Sequence, residues 1–422
     1  MFLLDTVRAD HVSSYGYERT TTPAIDALAQ EGALFRQVAS YSTWTLPSVV
    51  AVLSGDYPPL VLDDRFRMKW SLVEAFAKSG YRTAAFTEGG YVSRRWGMDR
   101  GFQHYSEEAH TEDSTNEIER TFRDARRWLE ANGDSPFFLL IHTYEAHMPY
   151  TNRDFARGLD PGRVGPTYEL EFLETVRSGE IVLTPEERNY IRALYDGDIL
   201  SVDRHVGEFL KLLEDLGLSE RTVVVVTSDH GEEMGEEFET FIGGHGHSMR
   251  DNLLLVPLVI RDPTRTFPER RIDVQVRLID VIPTIAELLG AQIDAPISGR
   301  SLVPVLEGNE KAHRAAMSGQ NNRGAPRLSL RDGRYKYVET ISPDAESGAP
   351  SALAVPPKQL YDLQSDPGED LNLIGDKPRL ARTMANTLAR WYNRLGEPRA
   401  DAVPEVLDEK LMRRLQALGY LD

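Results

Sequence analysis

The chain has 422 residues, 41% of them hydrophobic and 27% charged, which is typical of a water-soluble globular protein with one large domain and a smaller one. Its net charge of −18 argues against nucleic acid as a partner, and the absence of cysteine excludes disulfides and thiolate metal sites. No apolar run approaches the roughly 18–20 residues that span a bilayer, so no transmembrane segment is expected.

The first predicted elements are a short strand and two helices. "MFLLD" has the pattern of a buried strand that ends at Asp5. "TTPAIDALAQEGALF" predicts a helix with Thr22 as its cap and Pro23 in its first turn. A second helix is expected to begin at Pro47 and to run through "SVVAVLSG", which places Thr45 just ahead of its N-terminus.

The N-terminus also bears on localisation. As given, the chain opens without a signal-peptide pattern and is expected in the cytoplasm. A strand of four residues is short for a central position, so we expect the natural chain to begin a few residues earlier. An export signal in such a segment would make the protein periplasmic or secreted.

Strands and helices then alternate along the chain. "WSLVEAFAKSGYRTAAF" predicts a helix, a turn at Gly80 and a strand, after which Glu88 follows. "PFFLLIHTYEAH" is a strand leading into His142 and His147, and "TVVVVTSDH" is a strand ending at Asp229. Between these two strands lies a long amphipathic helix that ends near Gly217. This alternation predicts an α/β fold in which helices cover both faces of a large, mostly parallel, mixed sheet.

The pattern of predicted elements changes after about residue 310, from alternating strands and helices to short strands joined by turns. "LSLRDGRYKYVETI" predicts two strands around an Asp332-Gly333 turn, "KQLYDLQ" predicts a further strand, and two helices close the chain. "ESGAPSALAVPPK" reads as a surface loop. We therefore expect a catalytic α/β domain over residues 1–310 and a small C-terminal α+β domain with an antiparallel sheet over residues 311–422.

Several chemically active side chains follow the predicted strands. Ligand sites of open parallel sheets lie beyond the carboxyl ends of the strands, where these side chains are expected to meet. They are Asp5, Glu88, His142, His147, Asp229 and His230.

Asp229 and His230 form the sharpest metal signal in the sequence. Two adjacent ligand-type residues can both reach one ion where the chain leaves a sheet, although an ordinary Asp-His turn would give the same spacing. Asp5, at the end of another strand, adds a second carboxylate. The set suits Mg²⁺, Mn²⁺, Ca²⁺ or Zn²⁺.

Thr45 has two interpretations. It caps the helix, or it is a nucleophile whose hydroxyl a metal activates for attack on phosphorus or sulfur. Two further histidines, His245 and His247, lie in a glycine-rich stretch and are candidates for protonating a leaving group or binding an anionic oxygen. His147 lies in a loop and is a site candidate, whereas the position of His142 inside a strand favours a core or supporting role.

Taken together, the motifs resemble the sulfatase family of the alkaline phosphatase superfamily. The matching segments occur in order along the chain: "LDTVRADHVSSYGY", "TTPAIDALAQEGALF", "WTLPSVVAVLSGDYP", "EAHMPY", "YDGDILSVDRHVGEFLKLLEDLGL", "VVVVTSDHGEEMGE", "GHGHSMRDNLLLVPLVI", "LYDLQSDPGEDLNL" and "LQALGYLD". The resemblance implies a large mixed sheet, a small C-terminal domain and metal-assisted cleavage of a sulfate or phosphate ester.

The resemblance also implies roles for single residues. Asp5, Asp229 and His230 match metal ligands, and Thr45 matches the position of the nucleophile, beside the ion. His147 matches an active-site histidine. His247 or His245 falls near the position of a cationic residue that contacts the transferred group.

Four positions depart from the family pattern. Sulfatases carry Cys or Ser where this chain has Thr45 and oxidise it to formylglycine, and they carry Arg where this chain has Val49. Thr6 occupies the position of a second aspartate, and Glu88 lies where many sulfatases have a lysine. Threonine would give a ketone rather than an aldehyde, so the usual maturation is not available.

Three functions are compatible with this pattern. The first is a metal-dependent hydrolase that cleaves a phosphate or phosphonate ester or diester through Thr45. The second is a sulfuric ester hydrolase that works without formylglycine, and the third is a catalytically silent member that binds a metal or anion. The expected substrate is an anionic ester of a small molecule, a glycan or a lipid headgroup; the oligomeric state is open.

Overall fold

The computed structural model describes residues 1–60, 62, 66–107, 117–236, 241–341, 356–395 and 409–418. Its strands are β1 (Phe2–Leu4), β2 (Ala33–Ala39), β3 (Arg82–Phe86), β4 (His104–Ser106), β5 (Phe137–Thr143), β6 (Val224–Ser228), β7 (Leu255–Arg261), β8 (Arg271–Ile272), β9 (Val276–Arg277), β10 (Ala316–Gln320), β11 (Arg327–Arg331), β12 (Tyr335–Thr340) and β13 (Lys358–Asp362). Its α-helices are α1 (Pro23–Glu31), α2 (Thr45–Ser54), α3 (Val73–Lys78), α4 (Glu117–Asn132), α5 (Leu170–Arg177), α6 (Pro185–Asp215), α7 (Asp251–Leu254), α8 (Val281–Leu289), α9 (Val303–Leu306), α10 (Pro378–Tyr392) and α11 (Glu409–Ala417).

The large sheet has the order β4-β3-β5-β1-β6-β7-β2-β8, with β9 also paired to β2. Only β7 runs against its neighbours β6 and β2 among these strands, so the sheet is mixed and mostly parallel, as the sequence predicts. The short strand β1 lies at its centre between β5 and β6, with Leu4 opposite Thr143 and Ser228. The carboxyl ends of three central strands therefore meet at one edge.

Helices cover both faces of this sheet. Residues of α1, α4 and α6 form a core on one face, and residues of α2, α3 and α8 form a core on the other. The strands are buried on both faces, which explains their continuous apolar runs. Among the helices that the structure describes, none combines the length and apolarity needed to cross a membrane.

A second sheet, β10-β11-β12-β13, is antiparallel throughout. It packs against α10 through residues such as Leu328, Tyr337 and Leu388. This confirms the predicted antiparallel α+β unit, while the boundary at residue 310 stays a prediction. Most of the loop predicted at 346–358 lies outside the described residues.

Three local predictions need correction. Helix α2 begins at Thr45, with Trp44 as the extended residue before it, and Pro47 is its third residue. Proline is tolerated there because the first-turn amides have no partner inside the helix. Thr22 does precede α1, but its hydroxyl donates to the Asp26 carboxylate and makes no cap to the backbone. The "ALF" that ends that segment begins β2.

Candidate active site

Thr45 lies between side chains from two strand ends. Its Oγ1 is 3.1 Å from Asp5 Oδ1 and 3.3 Å from His230 Nε2. His230 Nε2 is in turn 3.5 Å from Asp229 Oδ2. All four residues are fully buried. The N-terminus of α2 therefore places the Thr45 hydroxyl in a buried group with two carboxylates and an imidazole.

His142, for which the sequence favours a core or supporting role, also lies in this group. Asp5, His142 and Asp229 each offer one ligand atom, and these atoms lie within 4.8 Å of one another. The pattern of β5 explains the position: Phe138, Leu140 and His142 alternate onto the face that α2 covers. A histidine that ends such an apolar series at the carboxyl end of a strand is a signal that sequence reasoning could have used.

The two carboxylates perturb each other. Burial and the nearby Asp229 raise the pKa of Asp5 well above its ordinary value, and burial also raises the pKa of Asp229. Asp5 Oδ2 and Asp229 Oδ2 find no hydrogen-bond partner among the described residues, and neither does either ring nitrogen of His142. Buried polar atoms without partners are costly, which makes this donor set suitable for a bound cation.

The backbone next to Asp5 is held in an uncommon conformation. Thr6 has φ +57°, in the left-handed region that β-branched residues avoid. Its amide donates to Asp229 Oδ1 at 3.4 Å, and its carbonyl accepts the Tyr195 hydroxyl at 2.7 Å. The turn thus fixes Asp5 against Asp229 at the cost of local strain, a combination common at functional sites.

The histidines of the glycine-rich loop lie on one side of the group. The rings of His230 and His245 are 4.4 Å apart, and those of His147 and His245 are 5.0 Å apart. His245 Nδ1 lies 3.0 Å from Glu232 Oε1. The His247 ring packs against the Phe241 ring at a tilt of 47°, and its Nε2 lies 3.7 Å from Glu233 Oε2. The structure therefore brings His147 and His245 close to His230, whereas His247 lies beside Glu233 and Phe241.

These imidazoles differ in their surroundings. Burial lowers the pKa of His147 to about 3 and that of His245 well below its ordinary value, so both are neutral near pH 7. Burial alone would raise the pKa of Glu233, but the nearby His247, the contact with Glu236 and the charge of Arg8 together outweigh burial and lower the pKa to about 2. His247 therefore faces an ionised carboxylate.

Sequence comparison identifies the chain. The sequence model of the family described as Sulfatase matches residues 1–291 of the 422. The chain belongs to the sulfatase family. A second family model, described as N-sulphoglucosamine sulphohydrolase, C-terminal, matches residues 245–394.

The names of similar proteins refer to more than one kind of ester. Arylsulfatase K of Xenopus laevis is 28% identical over 432 residues, covering 87% of this chain and 77% of its own length. The multifunctional alkaline phosphatase superfamily protein PehA of Trinickia caryophylli is 27% identical over 324 residues, covering 66% of this chain and 59% of its own length. The phosphonate monoester hydrolase of Agrobacterium radiobacter has the same fold, with a TM-score of 0.73 at 22% identity, covering 97% of this chain and 98% of that one.

This sulfatase-family enzyme is accordingly an ester hydrolase, and members of its family use divalent metal ions.

Glu88, which departs from the family pattern, lies at the edge of the site. Its Oε2 accepts the Tyr144 amide at 2.7 Å and lies 3.9 Å from Arg414 Nη2. Arg414 of α11 also pairs with Glu117 at 2.6 Å and stacks over the Tyr144 ring at 5.2 Å. The carboxylate of Glu88 is therefore paired with a cation from the C-terminal helix, which no local sequence pattern predicts.

Proposed function

We propose that the protein is a metal-dependent hydrolase that cleaves a phosphate or phosphonate ester or diester, with Thr45 as the nucleophile. The observation that carries this proposal is the position of the Thr45 hydroxyl, 3.1 Å from the Asp5 carboxylate and 3.3 Å from the His230 imidazole. An unactivated threonine hydroxyl is a weak nucleophile, and a carboxylate, an imidazole and a cation are the groups that activate one.

The residues fit a divalent ion. Asp5, Asp229, His142 and His230 would hold it, since they provide two buried carboxylates and two imidazoles in one cluster. A bound ion would supply positive charge that lowers the pKa of a neighbouring hydroxyl and offsets the charge of the substrate. Mixed carboxylate and imidazole ligands favour Mn²⁺ or Zn²⁺ over Mg²⁺ and Ca²⁺.

The chain's own residues account for the transfer steps. The Thr45 oxygen attacks phosphorus, its proton passes to Asp5 Oδ1, the new oxygen–phosphorus bond forms and the bond to the leaving alcohol breaks. His247, which faces ionised Glu233, donates the proton that the leaving oxygen takes up. Water then cleaves the Thr45 ester and restores the hydroxyl.

His147 and His245 have a different part. His147 Nδ1 lies 2.7 Å from the Met148 carbonyl, which can only accept, so this nitrogen carries the hydrogen and Nε2 is an acceptor. His245 Nδ1 lies 3.0 Å from Glu232 Oε1, and an ionised Glu232 would accept the hydrogen of this nitrogen and leave Nε2 as the acceptor. Neutral imidazoles with an acceptor nitrogen are suited to orient the water that releases the intermediate.

A second candidate is sulfate ester hydrolysis, which the match to the Sulfatase family model favours. The chain has no cysteine, and Thr45 cannot give the usual formylglycine aldehyde. The reaction would then depend on the Thr45 hydroxyl itself or on water. We place phosphorus first because attack by a hydroxyl nucleophile needs no maturation of the side chain.

Variants at position 45 test the proposal. Wild type, Thr45→Ala and Thr45→Ser are loaded with Mn²⁺ or Zn²⁺ and assayed on aryl esters of sulfate, phosphate, a phosphodiester and a phosphonate. Thr45→Ala is expected to lower kcat on phosphorus esters by on the order of 10³-fold or more, and Thr45→Ser to keep most of the activity. After acid quench, mass spectrometry should find the phosphoryl group on the wild-type peptide that contains Thr45.

The control is Thr383→Ala, which removes a threonine hydroxyl of α10 that donates to the Arg379 carbonyl at 3.0 Å. It should leave kcat unchanged. Turnover that survives Thr45→Ala would refute the nucleophile, and a preference for the aryl sulfate would select the second candidate. No turnover with any metal would leave the silent alternative.

A further inference from the structure

Lys336, on strand β12 of the second sheet, has a fully buried side chain. Its Nζ lies 2.8 Å from Asp251 Oδ1 and 2.7 Å from Glu369 Oε1. Arg331 is directly opposite Lys336 in the pairing of β11 with β12, and its Nη2 lies 3.0 Å from Asp251 Oδ2. These four residues are here called the charge cluster. Lysine is almost never fully buried unless it is paired, so the cluster fixes the relative positions of the segments that supply it.

Asp251 is the shared member of the charge cluster and the first residue of α7, four residues after His247. Like charges directly opposite each other on paired strands destabilise a sheet, and the Asp251 carboxylate offsets the repulsion between Lys336 and Arg331. Burial alone would raise the pKa of Asp251, but Arg331 and Lys336 outweigh burial and lower the pKa to about 2. Asp251 is therefore ionised near pH 7, and it ties α7 to the second sheet.

Glu369 holds α7 by a second contact. The Asp251 amide, the first of the helix, donates to Glu369 Oε2 at 2.6 Å. Next to it, Arg250 Nη1 donates to the Gly368 carbonyl at 2.9 Å. Glu369 has φ +59°, in the left-handed region that residues other than glycine seldom adopt. Such a conformation persists only where the surrounding contacts maintain it, so this cap of α7 is kept against local strain.

The carbonyl end of α7 contacts the backbone of the active site. The Leu253 carbonyl accepts the Gly231 amide at 2.9 Å, and the Leu254 carbonyl accepts the Ser40 amide at 2.8 Å. Gly231 directly follows His230, and a Cβ at Gly231 would lie 1.9 Å from a carbonyl oxygen of α7. Only glycine permits so close an approach, and a shift of α7 would therefore move the backbone next to His230.

Ser40 connects the same helix to Asp229 and to α2. Its hydroxyl donates to the Asp229 carbonyl at 2.5 Å and lies 3.2 Å from the Ser48 hydroxyl of α2, the helix that begins at Thr45. A continuous series of contacts therefore leads from Lys336 through α7 to the backbone of Asp229 and to the helix of Thr45.

We propose that Lys336 is a positioning residue for the metal site. It holds α7 through Asp251 and Glu369, and α7 holds the backbone segments that carry Asp229 and His230. Residues that orient metal ligands from outside contribute roughly 10–100-fold to metal affinity. The second sheet thus takes part in metal binding without supplying a ligand. The inference rests on the proposed function only in taking Asp229 and His230 as ligands.

Lys336→Met tests the proposal, because methionine is a side chain of similar length without the charge. Equilibrium dialysis measures the Kd for Mn²⁺, and the visible absorption bands of bound Co²⁺ report the geometry of its ligands. We expect the Kd for Mn²⁺ to rise by roughly 10–100-fold and the Co²⁺ bands to change. Glu369→Gln, which keeps the size of the side chain, should raise the Kd for Mn²⁺ by a smaller factor.

Arg314→Met is the matched control. The Arg314 side chain is 2% exposed, and its guanidinium lies 2.8 Å from Glu310 Oε2 and 3.1 Å from Asp280 Oδ2. Its removal should lower the urea midpoint, as Lys336→Met also should, because each variant leaves carboxylates with one cation fewer. The Kd for Mn²⁺ and the Co²⁺ spectrum of Arg314→Met should stay as in wild type. The comparison separates a loss of stability from a displacement of the ligands.

A Lys336→Met protein with the wild-type Kd for Mn²⁺ would overturn the proposal, and so would a weaker affinity with an unaltered Co²⁺ spectrum. An equal loss of affinity in Arg314→Met, or a wild type that binds neither ion, would have the same consequence. If Lys336→Met does not fold, an unchanged Kd in Glu369→Gln decides against the proposal. The result is separable from the test of Thr45, because both ions are measured without substrate and without turnover.

Discussion

Asp5→Asn is expected to stabilise the metal-free protein and to weaken its response to a divalent ion. The ligand oxygens of Asp5 and Asp229 lie within 4.8 Å of each other in a fully buried site. Two unit charges at that distance repel by about 3.5 kcal/mol at an effective dielectric constant of ~20. Since burial and Asp229 raise the pKa of Asp5, the pair carries less than two full charges, and we expect a net gain of about 1–3 kcal/mol.

Urea unfolding in EDTA and in Mn²⁺ measures both effects. Wild type should gain about 2.7 kcal/mol at an ion concentration 100 times Kd, and Asp5→Asn should gain much less at the same concentration. Asp203→Asn is the matched control, because each oxygen of Asp203 accepts a backbone amide of α1 at 2.9 Å. It should lose about 1–2 kcal/mol with or without the ion.

The reasoning is refuted if Asp5→Asn is no more stable than wild type in EDTA. It is also refuted if Mn²⁺ stabilises the variant as much as it stabilises wild type. Either result would mean that the two carboxylates do not form a strained pair that a cation relieves.

Further substitutions probe the surroundings of the site. His142→Asn should weaken Mn²⁺ binding by roughly 10–100-fold, as measured by equilibrium dialysis, whereas His147→Asn should bind Mn²⁺ normally and lower kcat at saturating metal. Equal Mn²⁺ affinities of His142→Asn and wild type would contradict the assignment of His142 as a ligand. The free energy of unfolding of Glu145→Gln, compared with that of wild type, should rise by about 2 kcal/mol as the pH is raised from 5 to 8. Burial raises the pKa of Glu145 to about 7, so in this range the folded wild type keeps a proton that the unfolded chain has lost. The stability of wild type therefore falls as the pH rises. A difference in urea midpoints between variant and wild type that stays constant across this range would be the contrary result. Arg414→Met should lower the free energy of unfolding by about 2–4 kcal/mol because it leaves Glu117 unpaired. Adding Glu117→Gln should restore part of this loss. A double variant that is no more stable than Arg414→Met would count against the buried pair.

The sequence was sufficient for the parts of the fold that follow from local patterns. The strands before Asp5 and Asp229 are continuous apolar runs because both faces of the central sheet are covered, and their carboxyl ends meet because they are parallel. The antiparallel hairpin around Asp332 and Gly333 is a turn signal between two short strands and is confirmed.

The errors have physical causes as well. Proline at residue 47 suggests a helix start, but the first turn of a helix tolerates it at any of its positions, and the helix begins two residues earlier. The place of His142 inside a strand favours a core or supporting role, and this interpretation stays a prediction. Its alternation with Phe138 and Leu140 puts it on the face that α2 covers, and the pairing of β5 with β1 brings it beside Asp5.

Other features depend on contacts between distant parts of the chain. The end of β10 reaches the segment before Thr45 through the hydrogen bond of the Ser42 hydroxyl to the Gly319 carbonyl, and Arg414 reaches Glu88 because α11 packs beside Tyr144. No spacing in the sequence connects these residues. The metal identity depends on ligand distances that neither pattern nor composition contains.

The position of Arg414 has a consequence for the order of events during protein synthesis. Glu88 and Glu117 leave the ribosome long before residue 414, and both belong to the buried edge of the site. Until α11 emerges, the wall beside Tyr144 has two carboxyl groups and lacks the cation that pairs with them. All strands of the large sheet precede α11 in the chain, so this edge of the site is completed only at a late stage of translation.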